Sequence, residues 1–339
     1  MKDLVEKAEA AAARAYAPYS NYHVGAVVRT ADGHDRDLRR GRAAAGHLGP
    51  AGRVKSGFVA VAGRPNVGKS TLVNALVGEK VAIVSRVPHT TRRRIFGVAN
   101  GEDWQLVLVD LPGFQRPMDK LTERMQRTVD QSFDDIDVVL FVVSARDRIG
   151  AGDRFIARRI YALGTPVIVA VNKVDNLKPS HIITQMKTAG ALGDFHALHP
   201  VSAKTRDGID ELRGDLVHLL PEGQPYFPRE AATDQTSEER IAELIREKAL
   251  QLTRDEVPHS ISVELDEHEE KRLRAFVLVE TESQKQIVVG KKGAMIREIG
   301  TRARPEIEAL LGHKVFLELV VKVRPRWRRD EAALERLGL

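Results

Sequence analysis

The stretch Gly63-Arg64-Pro65-Asn66-Val67-Gly68-Lys69-Ser70 decides the fold of this chain. It matches the pattern G-x-x-x-x-G-K-[ST], which cradles phosphate groups when it joins a strand to a helix. A short apolar run at residues 58–63 leads into it, and helical periodicity at residues 70–77 follows it. Backbone N–H groups of such a loop, together with the helix N-terminus, supply positive potential. We therefore expect a phosphate-binding loop that extends to Thr71.

Short apolar runs alternate with helical patterns along the middle of the chain. These Val-rich runs cover residues 58–63, 105–110, 137–144, 166–172 and 197–202. Strands that are buried on both faces have this composition. Their alternation with helical patterns predicts βαβ units and a mostly parallel sheet with helices on both faces. We therefore assign residues 56–222 to an α/β domain built around the P-loop.

Several side chains around the loop are suited to a phosphate and its metal ion. Lys69 can reach the β- and γ-phosphates, and the Ser70 hydroxyl can bind Mg²⁺. In Asp110-Leu111-Pro112-Gly113, the aspartate can hold Mg²⁺ through water and the glycine N–H can sense the γ-phosphate. Thr90 or Thr91, twenty residues past the loop, can also bind the metal, and their spacing does not choose between them. The candidate catalytic residues are Lys69, Thr90, Thr91 and Gly113.

Two further motifs point to a guanine base. Asn172-Lys173-Val174-Asp175 follows the run at residues 166–172. An aspartate there can accept hydrogen bonds from guanine N1–H and the exocyclic amine, a donor pair that adenine lacks. Ser202-Ala203-Lys204 follows the next run and can place a backbone N–H against guanine O6. Because ligands bind at the carboxyl ends of strands in open α/β sheets, these motifs predict binding of GTP or GDP with Mg²⁺.

In this order, the motifs resemble those of translation-factor-related GTPases. Phe114 follows Gly113, at the position where Ras-like enzymes carry a glutamine that orients the attacking water. A phenyl ring cannot hydrogen-bond that water, so we expect slow intrinsic hydrolysis that a partner or an ion stimulates. His89 is a candidate general base, although a loop histidine beside two threonines is more often only solvated.

The C-terminal part of the chain has a different pattern. A helix is predicted at residues 237–253, strands at 260–265, 273–281 and 314–323, and helical segments around Gly290-Lys291-Lys292-Gly293. The order αββααβ, with a GxxG loop between the two helices, is similar to a type II KH domain of the α+β class. In that module the loop lets a nucleic-acid backbone approach closely. We assign residues 237–339 to this domain with its basic tail, and the Pro- and Gly-containing residues 223–236 to a linker.

The positive charge of the chain is concentrated near this loop. The formal net charge is +6, yet residues 285–329 alone contain twelve cations and four anions. A basic segment inside a neutral domain suggests one cationic face. An aromatic residue among arginines can stack on a base, and packing of Trp327 on its own domain is an equal alternative. The candidate RNA contacts are Gly290, Lys291, Lys292, Gly293, Lys322, Arg324, Arg326 and Trp327.

Taken together, the GTPase motifs followed by the GKKG loop resemble the Era family of bacterial ribosome-assembly GTPases. Residues 85–92, 317–327 and 334–339 are also similar to that family, and the resemblance covers about residues 55–339. It implies a GTP-controlled protein that binds small-subunit ribosomal RNA near its 3′ end and acts in 30S maturation. It also implies a cytoplasmic protein that can associate peripherally with the inner membrane, and we expect a monomer. The alternative is an RNA chaperone whose GTPase is incidental. Leu111 stands where the family usually has threonine.

The N-terminal segment has a different resemblance. Residues 15–26 look like the opening of a cytidine deaminase, an activity that needs zinc ligands including a cysteine pair. The chain contains no cysteine, which also excludes disulfides and iron–sulfur clusters. We therefore expect residues 1–55 to be a non-catalytic, partly disordered extension, with a basic RNA-binding arm as the alternative. No apolar run reaches the ~18 residues of a membrane span, and no signal-peptide core is present.

Overall fold

The computed structural model describes residues 27–29, 35–37, 54–88, 90–113, 118–132 and 135–339. Most of the predicted extension over residues 1–55 lies outside these described residues. The backbone that is described there forms two short strands, β1 (Val27–Arg29) and β2 (Asp35–Asp37), which pair antiparallel.

A mostly parallel sheet carries the phosphate loop, as predicted. Its strands within the described chain are β3 (Val54–Ala62), β4 (Ile95–Asn100), β5 (Trp104–Asp110), β6 (Val138–Ser144), β7 (Val167–Asn172), β8 (Ala197–Val201) and β9 (Glu222–Gly223). The order in the sheet is β4-β5-β3-β6-β7-β8, with β9 paired to β3. The antiparallel neighbours are β4 and β9. β4 is absent from the predicted strands because it follows three arginines and contains Gly97 and Asn100, residue types that strands disfavour.

Helices cover both faces of this sheet. They are α1 (Lys69–Val77), α2 (Lys120–Gln131), α3 (Ala151–Tyr161), α4 (Pro179–Gly190) and α5 (Ile209–Leu219). Val59 of β3 packs in one core with Leu72 of α1, whereas Phe141 of β6 packs in another core with Ile160 of α3. Every side chain of β6 is buried, as expected for a strand that is covered on both faces. The predicted α/β class is confirmed.

A second unit has its own core and the predicted αββααβ order, with one short helix added. Its elements are α6 (Ser237–Leu252), α7 (Val257–Ser260), β10 (Ser262–His268), β11 (Arg272–Val279), α8 (Glu282–Val289), α9 (Ala294–Leu311) and β12 (Phe316–Val323). β11 is the central strand, antiparallel to β10 and parallel to β12. Ala275 and Val277 of β11 pack against Ile299 and Ala303 of α9. The helices therefore cover one face of this three-stranded sheet.

The segment predicted as a linker, residues 223–236, makes hydrogen bonds along the first sheet. Gln105 of β5 accepts a hydrogen bond from Phe227 N–H at 3.0 Å and donates one to Phe227 O at 2.8 Å. Further along, Val98 N–H of β4 donates to Ala232 O at 2.7 Å. The Phe227 side chain is only 7% exposed. This segment connects the two units, but contacts with the sheet hold it in place.

The C-terminal tail returns to the first unit. A 3₁₀ turn (Trp327–Arg329) precedes α10 (Glu331–Arg336). Trp327 and Leu334 form a buried cluster with Leu121 and Met125 of α2. The tail therefore packs the second unit against α2. Among the described helices, none combines the length and hydropathy needed to cross a bilayer.

Candidate nucleotide-binding and RNA-binding sites

The loop between β3 and α1 needs glycine at two positions. Gly63 has φ +152°, and a Cβ there would lie 2.4 Å from Val142 O. Gly68 has φ +101°, and a Cβ there would lie 2.4 Å from Asn172 Nδ2. Only glycine fits such contacts in this backbone region. The loop ends directly at Lys69, the first residue of α1, where unpaired helix N–H groups attract anions.

Lys69 is buried inside this loop, with 8% of its surface exposed. Its Nζ donates to Gly63 O and Arg64 O, both at 3.3 Å. Burial lowers the pKa of Lys69, and the nearby Asp110 carboxylate opposes this shift. Charged phosphate oxygens would be stronger partners for this ammonium group than two long hydrogen bonds to carbonyls. The structure therefore places Lys69 where a phosphate would compensate its charge.

Ser70, Thr91 and Asp110 bring their oxygen atoms together beside Lys69. Ser70 Oγ donates to Asp110 Oδ2 at 2.6 Å and lies 3.1 Å from Thr91 Oγ1. Asp110 is fully buried, and its Oδ1 has no hydrogen-bond partner among the described residues. Burial raises the pKa of this carboxyl, against the opposing influence of Lys69 and the two hydroxyls. A buried carboxylate with a spare oxygen and two hydroxyls fits Mg²⁺, which prefers oxygen ligands.

The two threonines that the sequence leaves as alternatives have different environments. Thr90 Oγ1 donates to Val87 O at 2.7 Å, and Thr90 O accepts from Arg246 Nη2 at 2.6 Å. Thr91 is buried, and its hydroxyl lies 3.3 Å from Asp110 Oδ2. Both line one cleft with the phosphate loop. The geometry therefore favours Thr91 as the candidate metal ligand.

Gly113 lies at the other side of this cleft. A Cβ at Gly113 would be 3.0 Å from Pro65 Cγ, so this backbone approaches the phosphate loop closely. Leu111 is fully buried, so its side chain has a packing role. Phe114 and His89, singled out from the sequence, lie outside the described residues.

The two predicted base-recognition motifs meet at the carboxyl ends of β7 and β8. Asn172 Nδ2 donates to Val67 O at 3.0 Å, and Asn172 Oδ1 accepts from Ala203 N–H at 3.1 Å. Asp175 Oδ1 accepts from Ser202 Oγ at 3.0 Å. Asn172 therefore ties the phosphate loop to the second motif, and the Ser202 hydroxyl orients the Asp175 carboxylate.

Two basic residues also contact these motifs. Arg146 Nη2 donates to Asp175 Oδ2 at 2.5 Å, a contact that sequence reasoning missed because Arg146 belongs to neither motif. Lys173 Nζ donates to Asn66 O, and burial lowers the pKa of Lys173. Lys204 is exposed. The Asp175 carboxylate is therefore held from two sides before any base is bound.

The GKKG loop joins α8 to α9 through a turn that requires glycine. Gly290 has φ +72°, and a Cβ there would lie 2.7 Å from Met295 Cβ. Gly293 has φ +77° and is the N-cap of α9. Lys291 and Lys292, between the two glycines, are exposed. Two exposed ammonium groups on a tight backbone turn suit close approach of a nucleic-acid backbone.

An apolar strip lies beside this loop, between α9 and β12. Ile296, Leu317 and Leu319 are partly buried side chains that pack on the second core. Gly300 faces this strip, since a Cβ there would lie 3.4 Å from Leu319 Cδ1. We call this apolar strip and the cationic loop the candidate KH groove, because apolar side chains next to exposed lysines suit unstacked bases and their phosphates.

Trp327 does not contribute to this groove, so the predicted stacking of Trp327 on a base is wrong. Its side chain is fully buried, and its indole Nε1 donates to Ser260 O at 2.8 Å. It packs with Leu121 and Met125 of the first unit. The alternative, packing of Trp327 on its own domain, is correct only in part, because the indole bonds to Ser260 of that domain but packs with α2 of the first unit. Burying the indole removes a large apolar surface from water.

Three other predicted RNA contacts lie apart from the GKKG loop. Lys322 Nζ lies 3.0 Å from the ring centroid of Phe276, which alternates with the inward-facing residues of β11. Lys322 is therefore on the sheet face opposite the helices. Arg324 pairs with Glu264 at 3.6 Å, and Arg326 is exposed next to the buried Trp327. Within the described part of the chain, none of these three cations has a hydrogen bond or ion pair with the loop.

Arg92 joins the nucleotide cleft to the second unit. It follows Thr91 in the chain and is 8% exposed. Its guanidinium donates to Ile261 O at 2.7 Å and to His259 O at 3.0 Å. The sequence shows only a run of three arginines at residues 92–94, in which nothing distinguishes the buried one.

The Trp327 indole completes this contact. It donates to Ser260 O, between the two carbonyls that Arg92 uses, and its ring centroid lies 5.3 Å from the Arg92 guanidinium carbon. Burial lowers the pKa of Arg92 to about 9, and the neighbouring Arg246 adds to this shift. Side chains from two distant segments thus satisfy three consecutive carbonyls.

A charged cluster makes a second contact between the units. Lys80 Nζ, just after α1, lies 2.6 Å from both Glu247 Oε2 and Glu306 Oε2. Glu247 is 1% exposed, accepts from Val84 N–H at 2.8 Å and pairs with Lys248 at 2.6 Å. Hydrogen bonds and ion pairs therefore join α6 to the segment that leads to Thr91 and the candidate metal site.

Comparisons with known proteins agree with these two sites. A family model described as 50S ribosome-binding GTPase matches residues 58–173, and a KH-domain model matches residues 256–328. The GTPase Era of Lactobacillus delbrueckii subsp. bulgaricus is 42% identical over 296 residues, which is 86% of this chain and 98% of that protein. The GTPase Era of Mycolicibacterium smegmatis is 44% identical over 294 residues, 84% of this chain and 98% of that protein.

Solved structures of relatives have the same architecture. Era in complex with MgGDPNP and nucleotides 1506–1542 of 16S ribosomal RNA has a TM-score of 0.79 and 39% identity, covering 84% of this chain and 99% of that one. A variant of Aquifex aeolicus Era bound to GDP·AlF4⁻ has the same TM-score, identity and coverage. With sequence identity over most of both chains, and a GTPase cleft followed by a GKKG loop, the chain belongs to the Era family of GTPases.

Proposed function

We propose that this protein is a GTP-hydrolysing switch that binds small-subunit ribosomal RNA through its KH domain and assists 30S maturation. The direct contact between the nucleotide cleft and the KH domain carries the proposal. Arg92 adjoins Thr91 at the candidate metal site and donates to two carbonyls of the KH unit. Nucleotide state and RNA binding are thereby connected through neighbouring residues.

The nucleotide is held at both ends in this proposal. Lys69 and the N–H groups of the phosphate loop bind the β- and γ-phosphates, and Gly113 N–H faces the γ-phosphate. The Asp175 carboxylate, oriented by Ser202 and Arg146, accepts two hydrogen bonds from guanine. The substrate is therefore GTP and the product GDP.

Ser70 and Thr91 would hold Mg²⁺ through their hydroxyls, and Asp110 would hold it through water. The solved Era complex that contains MgGDPNP supports the choice of Mg²⁺, and the hydrogen-bonded oxygens of Ser70, Thr91 and Asp110 support the choice of residues. When bound, the ion neutralises charge that develops on the phosphates during transfer. In this chain, burial of the Asp110 carboxylate opposes its ionisation, whereas Lys69 and the hydroxyls of Ser70 and Thr91 favour the ionised form.

The proposal includes slow intrinsic hydrolysis. Phe114 follows Gly113, and its ring has no group to orient an attacking water. We expect stimulation by a bound partner or an ion. A turnover on the order of 10 s⁻¹ by the purified protein alone would contradict this reasoning.

Ribosomal RNA is the proposed partner of the KH groove. The Era complex that contains 16S nucleotides 1506–1542 supports this choice. Lys291 and Lys292 would meet phosphates, and Ile296 and Leu319 would contact bases. We expect the protein to act as a monomer in the cytoplasm. Peripheral contact with the inner membrane is a prediction from the family resemblance, and cell fractionation tests it.

RNA binding in two nucleotide states tests the proposal. We expect tighter binding with a non-hydrolysable GTP analogue than with GDP, and identical affinities would refute the switch. Lys69→Ala distinguishes the alternative of an RNA chaperone with an incidental GTPase. If the Lys69→Ala protein supports 30S assembly in cells, the chaperone is favoured; if assembly fails, the GTPase is required.

A further inference from the structure

Helix α3 presents a cationic face to solvent. Arg154 and Arg158 on this helix, and Arg148 in the preceding turn, are exposed, and Phe155 between them is 56% exposed. Residues at i and i+4 on a helix are neighbours about 6 Å apart. We call Arg148, Arg154, Phe155 and Arg158 the arginine face.

Carboxylates do not neutralise the arginine face. Asp153, the one acidic residue of α3, is fully buried, pairs with Arg64 at 2.7 Å and accepts from Gly150 N–H at 2.8 Å. Asp130 of α2 pairs with the flanking Arg159 at 2.5 Å. Within the described chain, the three arginines of the face have no ion-pair partner. Their guanidinium groups therefore keep their full charge at the surface.

Four other helices each contain a cation that is paired with a carboxylate of the same helix. These pairs are Glu123–Arg127 on α2, Asp210–Arg213 on α5, Glu282–Lys285 on α8 and Glu298–Arg302 on α9. On α3, Arg154 faces Arg158 instead, and like charges at this spacing destabilise a helix. An uncompensated face that costs helix stability, with an exposed phenyl ring, indicates a ligand rather than simple solvation.

We infer that the arginine face is a second RNA-binding surface, which contacts the phosphodiester backbone of ribosomal RNA outside the segment held by the KH groove. The inference rests on the proposed function for the identity of the RNA. Guanidinium forks match phosphate oxygens in a bidentate manner, and an exposed phenyl ring can stack on an unpaired base. A KH groove holds only about four nucleotides, so most of a long RNA is left for other contacts.

The position of the face connects it to the nucleotide site. Asp153 at the start of α3 holds Arg64 of the phosphate loop, so RNA bound along α3 would lie next to that loop. An acidic protein surface is the competing partner. RNA is favoured because the face combines three arginines, which can bind phosphates, with one exposed phenyl ring, on which an exposed base can stack.

The test compares two RNAs and two double variants of the full-length protein. Arg154→Gln/Arg158→Gln removes two charges from the arginine face, and Lys178→Gln/Lys187→Gln removes two exposed charges at α4 as a matched control. Affinity is measured with the GTP analogue bound, over a range of salt, for full-length 16S rRNA and for its nucleotides 1506–1542. These are the nucleotides in the solved Era complex.

We expect the arginine variant to lose about tenfold in affinity for full-length rRNA near 0.15 M salt, with the log–log salt slope reduced by about 1.4. Affinity for the short RNA and the properties of the control variant stay unchanged. Unchanged affinity for full-length rRNA, or an equal loss in the control or on the short RNA, would overturn the inference. A loss seen with 30S subunits but not with naked rRNA would identify a protein partner and also overturn it. If the unmodified protein binds neither RNA, the proposed function itself fails.

Discussion

Replacing Arg92 with alanine tests whether the nucleotide cleft and the KH domain communicate through this side chain. Its guanidinium makes two charge-assisted hydrogen bonds, to Ile261 O at 2.7 Å and His259 O at 3.0 Å. At about 1.5–3 kcal/mol each, they contribute about 3–6 kcal/mol. Burial opposes them, since it lowers the pKa of Arg92 to about 9, a shift to which the neighbouring Arg246 adds.

Arg92→Ala also leaves the Ile261 and His259 carbonyls without these donors. We therefore expect the variant to lower the free energy of unfolding by a few kcal/mol, at most about 3–6. The same change should abolish the dependence of RNA affinity on nucleotide, a coupling that is typically worth about 1–3 kcal/mol, or about 5- to 150-fold.

The assay is the ratio of RNA affinities with the GTP analogue and with GDP. In Arg92→Ala the ratio should approach one. Arg92→Lys should restore it only in part, because an ammonium group lacks the fork that reaches two carbonyls. Arg94→Ala is the control, since that guanidinium lies 4.9 Å from the Phe96 ring within the first unit. The reasoning is refuted if Arg92→Ala keeps the ratio of the unmodified protein.

Three further changes test the two sites. Because burial raises the pKa of Asp110, protons should compete with Mg²⁺, so Mg²⁺-dependent nucleotide affinity should begin to fall at a pH above the usual titration range of an aspartate carboxyl. Asp110→Asn should remove both the metal dependence and this pH dependence, measured by fluorescent-nucleotide titration. Trp327→Phe removes the buried indole hydrogen bond to Ser260 O and should lower the free energy of unfolding in urea by about 1–3 kcal/mol. A purely structural role of Trp327 predicts that the affinity for the short RNA is unchanged in either nucleotide state. Lys291→Ala/Lys292→Ala should weaken RNA binding and reduce the salt slope by about 1.4, and an unchanged slope would argue against phosphate contacts.

The nucleotide site was accessible to sequence reasoning because most of its motifs are short and directly follow a strand. The oxygens of Ser70 and Asp110 lie together because β3, which leads into the phosphate loop before Ser70, is a parallel neighbour of β5, which ends at Asp110. The alternating pattern predicts such a parallel sheet. The choice of Thr91 over Thr90 needed the structure, since adjacent residues of a loop have no periodicity that assigns their directions.

The contacts between the two units could not be predicted in the same way. Arg92 is buried by residues 259–261, which lie far away in the sequence. Trp327 stands among arginines, a composition that suits base stacking, yet the C-terminal tail folds back and buries it against α2. Local composition describes what a side chain can contact, and only the path of the chain decides what it does contact.

The hydrogen bonds of residues 223–236 have a consequence for the edge of the first sheet. β4 is the outermost strand of the first sheet, and an open strand edge can recruit strands from other molecules. Here Ala232 accepts from Val98 N–H, Thr233 forms a bridge with Gly97, and Asp234 accepts from Phe96 N–H. Residues 232–234 thus lie along β4 as an additional strand would and cover its edge. A GTPase fragment ending at residue 222 would expose this edge and tend to aggregate, whereas one ending after residue 235 would keep it covered.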